Sequence, residues 1–292
     1  MSATNGSILL GMESWQIKGL EKVQLTCVLL QIHDSTCLSL LLHLRMARLG
    51  PLIDPNMKTF TLSTLCICLG LSFHVHAKDP SFVSTEETQA FHILLAPSAA
   101  QSDKTRAELA ELHRFEDTRS DTQKAAAMAD DKEESIFIFK QQIGEWFNAQ
   151  TLPQTAAFGT RVKNDEGINT APAKKGFARV RPYNLDTSLH PVCVTKTIDD
   201  SYPSGHATTG YLMALTLIDM LPEKRDAILA RADDYANNRL ICGVHFRSDI
   251  EASKLVAYTI HAVMANKPQY QQELAVARAE LQSHMAGTAQ SK

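Results

Sequence analysis

After Ala77 the sequence contains no apolar run approaching the about 20 residues that a membrane-crossing helix needs, which excludes a multi-spanning protein from that part of the chain. Charge of one sign is missing too. The net charge is -3 over 292 residues, which argues against broad nucleic-acid binding and requires any functional cations to be locally concentrated. After residue 77 there is no internal repeat, no low-complexity tract, and none of the strand-helix alternation that builds a parallel sheet. Cysteine is scarce where it could staple a fold. Of six cysteines, Cys27, Cys37, Cys66 and Cys68 precede residue 78, leaving Cys193 and Cys242, which could pair in an oxidising compartment or stay reduced and buried. What is present is the composition of a folded globule, with 44% hydrophobic and 21% charged residues.

Residues 57–77 read MKTFTLSTLCICLGLSFHVHA: Lys58, an apolar core, then Val75 and Ala77 at cleavage spacing. That pattern predicts a secretory signal cleaved after Ala77, and hence a periplasmic or secreted product. A signal does not ordinarily start 56 residues into a precursor. Met57 is therefore the expected start, and residues 1–56, with two short apolar clusters, are expected to be an upstream extension with little structure. Residues 78–292 are the expected catalytic domain.

Within that domain the apolar periodicity is helical, which predicts an all-α fold. Ile136, Phe139, Ile143, Trp146 and Phe147 predict one core helix; Tyr211, Leu215 and Ile218 mark a second stripe. Ile228, Ala232, Tyr235 and Ala236 mark a third, and Tyr270, Leu274, Ala277 and Leu281 a surface helix near the end. Residues 183–202 read as a long loop or a short strand, and residues 98–129 as a polar segment with an amphipathic stretch at Leu109 and Leu112.

Three clusters carry chemistry. In the first, KKGFARVRP, Lys174 and Arg181 are seven apart and would project from one helical face, Pro182 then turning the chain. Lys175 and Arg179 read as a solvated basic face. In the second, SYPSGH, Ser204 can cap a helix whose free amides at Gly205 and His206 gather partial positive charge and suit an anion. In the third, NRLICGVHFRSD, Asp249 follows His245 at a spacing that lets a carboxylate accept the imidazole N–H. Arg239 would share a pocket with His245 if the helix breaks near Gly243. A metal site is the rival use of His245 and Asp249, and the surrounding Lys and Arg residues would repel a divalent cation.

Together these clusters resemble the three-part signature of the phosphatidic-acid-phosphatase type 2 superfamily: lysine, six residues, Arg-Pro; Pro-Ser-Gly-His; then Ser-Arg, five residues, histidine, three residues, aspartate. DSYPSGHATTGY and NRLICGVHFRSDIEA are similar to the class A bacterial non-specific acid phosphatases of that superfamily. The resemblance implies a single-domain helical bundle of the acid phosphatase and vanadium haloperoxidase type. It implies hydrolysis of phosphate monoesters through a phosphohistidine on His245, with Asp249 orienting that ring and His206 protonating the leaving alkoxide. Lys174, Arg181, Arg239, the Ser204 hydroxyl and the Gly205 amide would hold the phosphoryl oxygens. No cofactor and no metal is implied, and the expected partners are small phosphomonoesters, with no nucleic acid and no stable membrane span after signal cleavage. Homo-oligomerisation stays open. Asn238 stands where the superfamily has serine, and Asp200 and Ala207 replace the glycine and threonine of the class A phrase. Rival functions are a vanadate-dependent haloperoxidase, separable by bromide oxidation, a soluble phosphatase acting on lipid-derived phosphates, and a catalytically dead phosphate-binding module. With an ordinary histidine pKa near 6.5 at His206, activity is expected to peak on the acidic side of neutrality.

Overall fold

A computed structural model describes residues 79–290, except Val194 and Lys196, and these residues fall within the compact unit His76–Lys292. The expected upstream extension and signal segment lie outside the described residues.

The described chain is helical, with no strand among the described residues. Two single turns, α1 (Thr85–Thr88) and α2 (Ala90–Ile93), precede α3 (Asp103–Thr118) and α4 (Asp121–Asp130). A 3-10 turn, Ile136–Phe139, runs into the single turn α5 (Lys140–Ile143), followed by the long α6 (Pro153–Phe177) and the short α7 (Pro182–Leu185). The remainder is α8 (Gly205–Met220), α9 (Arg225–Ile241), α10 (Arg247–Met264) and α11 (Pro268–Gln290). No described helix is long and apolar enough to cross a membrane.

The centre of the bundle is α8, which packs against α10, α9 and α6, with α11 laid on α6. Leu212, Met213, Ala214 and Leu217 are fully buried, so α8 is enclosed on nearly every side. Of the stripe expected at Tyr211, Leu215 and Ile218, Tyr211 is buried in the core and Ile218 packs half-buried against it, while Leu215 is also half-buried and the fully buried residues lie between them. A helix that is apolar all round has no polar face for a stripe to stand out against. The other two stripes bury as expected, Ile228, Ala232, Tyr235 and Ala236 on α9 and Tyr270, Leu274, Ala277 and Leu281 on α11.

The single core helix expected over residues 136–147 is corrected. Its apolar residues do reach the core, Ile136, Phe139 and Phe147 being fully buried, but on a 3-10 turn, one α turn and a bend. The chain leaves α5 at Gly144, whose φ of 141° ends the helix. The described residues of 183–202 complete α7 and then form no helix or strand. Backbone bonds from Val192 to the Cys242 carbonyl (3.0 Å) and from Ser201 to the Arg179 carbonyl (3.1 Å) lash that segment over the ends of α9 and α6.

Candidate active site

All three clusters end at one place, because each lies where a helix starts or stops. Lys174 is in the last turn of α6, which closes at Ala178 in the left-handed conformation (φ 44°). Arg181 is therefore not on the same helix as Lys174, as the seven-residue spacing suggested; it caps α7 in an extended conformation, ahead of Pro182. Ser204 caps α8, its Oγ accepting from the Ala207 amide at 3.4 Å, so Gly205 and His206 form the first turn. Beyond α9 the chain reverses at Gly243 (φ 77°), and the Val244 amide bonds back to the Arg239 carbonyl at 3.2 Å. That reversal is the break expected there, and it delivers His245 to the mouth of α10, where Asp249 lies in the first turn.

His245 is 2% exposed and has a defined proton arrangement. Its Nδ1 donates to the Ser201 carbonyl at 2.9 Å, with Asp249 Oδ2 at 3.3 Å. Nε2 receives a hydrogen bond from Arg181 Nη1 at 3.1 Å, so it carries a lone pair. Burial holds this imidazole well below the usual histidine range, and Arg181, Arg239, Lys174 and His206 push it the same way. Asp249, expected to orient this ring, thus meets Nδ1 together with Ser201, whose hydroxyl donates to Asp249 Oδ2 at 2.6 Å.

Arg179 corrects the sequence reading. Far from being solvated, it is 7% exposed, donates to Asp249 Oδ1 (2.5 Å), Ser248 Oγ (2.8 Å) and Glu108 Oε2 (2.9 Å), and lies 3.9 Å over the Phe246 ring. It leaves the solvated face because α6 ends before it. Lys175, still within α6, is exposed as expected.

The phosphate-binding candidates converge but hold resident partners. Lys174 Nζ donates to the Asp200 and Pro203 carbonyls at 2.8 and 2.7 Å, and burial pushes its pKa down. A Cβ placed on Gly205 would lie 3.9 Å from Lys174 Cε and 3.5 Å from the buried Glu166 carboxylate, so the first and second clusters touch. Arg181 pairs with Asp200 at 2.7 Å and donates to the Val244 carbonyl at 3.0 Å. Arg239, 1% exposed, pairs with Asp131 at 2.7 Å, and its Nε finds no acceptor among the described residues.

His206 is gripped at both nitrogens, Nδ1 by Glu134 Oε1 at 3.1 Å and Nε2 by the Asp131 carbonyl at 3.1 Å, with its ring stacked on Tyr235. Burial pushes the imidazole down to about 4, Arg239 acting the same way against Glu134 and Asp131. The ordinary value near 6.5 expected from sequence is therefore corrected downward.

Asp131 and Glu134 belong to a turn that sequence reasoning missed. It is fastened by Arg231 and Asn238 on Asp130 and by the Tyr235 hydroxyl on the Glu133 carbonyl (2.7 Å). Asn238, the departure from the superfamily pattern, donates to Asp130 at 2.7 Å and so helps to anchor this turn. Beside it, Cys193 and Cys242 form a disulfide, resolving the pairing left open by sequence. These sulfurs and Asp131 form a grouping of metal-ligand types, but the disulfide leaves it no thiolate and one carboxylate.

Residues 162–273 match the PAP2 superfamily model. The chain is 33% identical over 151 residues to a non-specific acid phosphatase of Providencia stuartii, covering 49% of this chain and 59% of that protein. It is 34% identical over 164 residues to one from Salmonella typhimurium (54% and 65%), and 32% over 136 residues to an acid phosphatase of Zymomonas mobilis (45% and 51%). The chain thus spans between half and two thirds of these relatives' lengths. Among solved structures it is similar to a bacterial vanadium-dependent iodoperoxidase (TM-score 0.47, 19% identity, 61% of this chain and 53% of that one). A transmembrane PAP2-type phosphatidylglycerolphosphate phosphatase of Bacillus subtilis gives a TM-score of 0.44 at 17% identity, covering 62% and 94%.

Proposed function

We propose that this chain, homologous to the PAP2 superfamily over residues 162–273 and to bacterial acid phosphatases, is an exported acid phosphatase that hydrolyses small phosphomonoesters through a phosphohistidine on His245. The observation that carries the proposal is the convergence of Lys174, Arg181 and Arg239 on a buried imidazole whose Nε2 bears a lone pair and faces a guanidinium. A buried histidine surrounded by cations is held neutral, which is the state a nucleophile needs. The unpartnered Arg239 Nε is a donor awaiting an acceptor.

In this mechanism the phosphoryl oxygens replace the resident partners. The Arg181 guanidinium moves from Nε2 to an equatorial oxygen, Arg239 exchanges Asp131 for phosphate, and the α8 amide at Gly205 with the Ser204 hydroxyl completes the cradle. Phosphoryl transfer asks mainly for in-line positioning and stabilised equatorial charge, which fixed cations can supply without a metal ion. His245 Nε2 forms the N–P bond as the ester P–O bond breaks, and the leaving alkoxide takes a proton from His206 Nε2 once that atom parts from the Asp131 carbonyl. Water, deprotonated by His206, then attacks phosphorus, breaking the N–P bond and releasing inorganic phosphate.

The test is p-nitrophenyl phosphate hydrolysis across pH by the purified chain with a chelator present. His245→Ala should lower kcat by at least about a thousandfold, and His206→Ala by about a hundred- to ten-thousandfold. Quenching in alkali should trap labelled phosphate on wild type and not on His245→Ala. In the free enzyme His206 loses its proton above about pH 4, so kcat/KM should fall as pH rises through that region. A bound phosphate dianion favours the imidazolium, so the descending limb of kcat should lie at higher pH than that of kcat/KM. Full activity in His245→Ala, or its loss to the chelator, would overturn the proposal.

A further inference from the structure

The group that acts on the leaving alkoxide has its own carboxylate, distinct from the Asp249 that serves the nucleophile. We propose that Glu134, backed by Lys163, is the positioning residue of the acid histidine, fixing the ring of His206 so that Nε2 faces the leaving group. This inference rests on the phosphatase reading above and adds a residue outside the three signature clusters.

The geometry is a relay across three elements. Lys163 Nζ on α6 reaches Glu134 Oε2 at 2.5 Å, and Glu134 Oε1 meets His206 Nδ1 at 3.1 Å on the first turn of α8. On the opposite side, the Asp131 carbonyl alone among the described residues holds Nε2. A backbone carbonyl is a neutral acceptor that a phosphate ester oxygen can displace, whereas the Glu134 contact is a charge-assisted bond with a lysine behind it. Nδ1 therefore stays anchored while Nε2 is released to substrate.

The groups facing His206 decide what Glu134 adds. From α9 come the Arg239 guanidinium and the Tyr235 ring, from the turn the Asp131 carboxylate, and beyond α9 His245, which interacts with His206 electrostatically. Burial and Arg239 disfavour the imidazolium; Glu134 is the main influence in the other direction, with Asp131 adding to it. Burial also raises the Glu134 pKa, but His206, Lys163 and Arg239 outweigh it and keep the carboxyl below the usual range, so it remains ionised. Both Glu134 and Lys163 are about one-third exposed, so replacing them leaves the core intact.

Opposite-signed variants test the relay. Glu134→Gln keeps a hydrogen-bonding group and removes the charge. It should shift the descending limb of kcat/KM to lower pH and cut the rate at pH 5 by about tenfold, with Glu134→Asp recovering part of the loss. Lys163→Met leaves Glu134 unneutralised and should shift the same limb to higher pH. The His206 imidazole pKa, read by NMR without substrate, should move down and up respectively. A merely structural role would lower activity without moving the two limbs in opposite directions. If His206→Ala is inactive while the Glu134→Gln profile superimposes on wild type, the Glu134 inference is wrong. If His206→Ala is fully active, the phosphatase mechanism beneath it is wrong.

Discussion

On the phosphatase proposal, Asp131 occupies two of the groups that a phosphate ester would need: its carboxylate holds Arg239 and its carbonyl holds His206 Nε2. A phosphate oxygen bound there would have to displace both. Of these two contacts only the carboxylate is a property of the side chain, so Asp131→Asn separates them. The Asp131 side chain is 24% exposed, and a partly exposed ion pair is worth up to about 1 kcal/mol, which corresponds to about fivefold in affinity. Asp131→Asn should therefore lower the KM for p-nitrophenyl phosphate and the Ki for inorganic phosphate by a few-fold each, and, because the carboxylate also favours the His206 imidazolium, move the descending limb of kcat/KM to lower pH. Steady-state kinetics across pH separate the two effects, and unchanged or higher KM and Ki would show that Asp131 does not compete with phosphate. Arg179 shows the same principle beside His245, a cation committed to Asp249 and Glu108.

At the scale of elements, the setting of His206, the proposed acid, depends on how closely α8 and α9 approach. A Cβ at Gly210 of α8 would lie 2.6 Å from Tyr235 Cδ1 of α9, and Tyr235 is fully buried, stacks on His206 and holds the Glu133 carbonyl. Gly210→Ala gains about 1 kcal/mol in helix propensity but must displace that ring, and overpacking a core costs about 1 to 3 kcal/mol. Net destabilisation together with a fall in kcat is expected. Gly167→Ala on α6, where an added Cβ meets nothing within 4 Å, should instead stabilise by about 0.5 to 1 kcal/mol. Urea unfolding of the two variants checks both signs, and a stabilised, fully active Gly210→Ala would refute the coupling. These helices also show what sequence can and cannot reveal. The stripes of α9 and α11 were readable because each helix has one wet face; α8 was not, because burial on every side erases the contrast. The apolar spacing over residues 136–147 fits a helix equally well as a 3-10 turn and a bend, and only the backbone at Gly144 separates the two. In the site, the two histidines, Asp249 and the cations Lys174, Arg181 and Arg239 stood out through spacing. Asp131, Glu134 and Arg179 did not, since the groups they meet in the site, Arg239, His206 and Asp249, lie about 70 to 108 residues away and acidic or basic residues at such positions ordinarily face solvent.

For the molecule as a whole, the Cys193–Cys242 disulfide ties the loop after α7 to the end of α9, and its sequence separation is 49 residues. The segment it closes contains α8, α9, the Pro-Ser-Gly-His turn and Arg239, so the cross-link spans much of the pocket rather than a peripheral hairpin. In the chain-entropy picture, closing a loop of that length removes about 4 kcal/mol of freedom from the unfolded state. That is a sizeable share of the about 5 to 15 kcal/mol that holds a typical domain together. Cys242 is fully buried and Cys193 3% exposed, so a reductant gains access only when the structure opens. A Cys193→Ser/Cys242→Ser protein should therefore unfold at markedly lower urea concentration than wild type. Wild type should approach that midpoint in dithiothreitol only after passing through its unfolded state. A chain made in an oxidising compartment would keep this stabilisation and one made in a reducing compartment would not, which fits the export proposed from residues 57–77. If wild type and the double variant share one midpoint without reductant, the cross-link contributes nothing and that support for export is lost. If the midpoints differ, the Arg239 and His245 positions either side of Cys242 should lose activity together with stability.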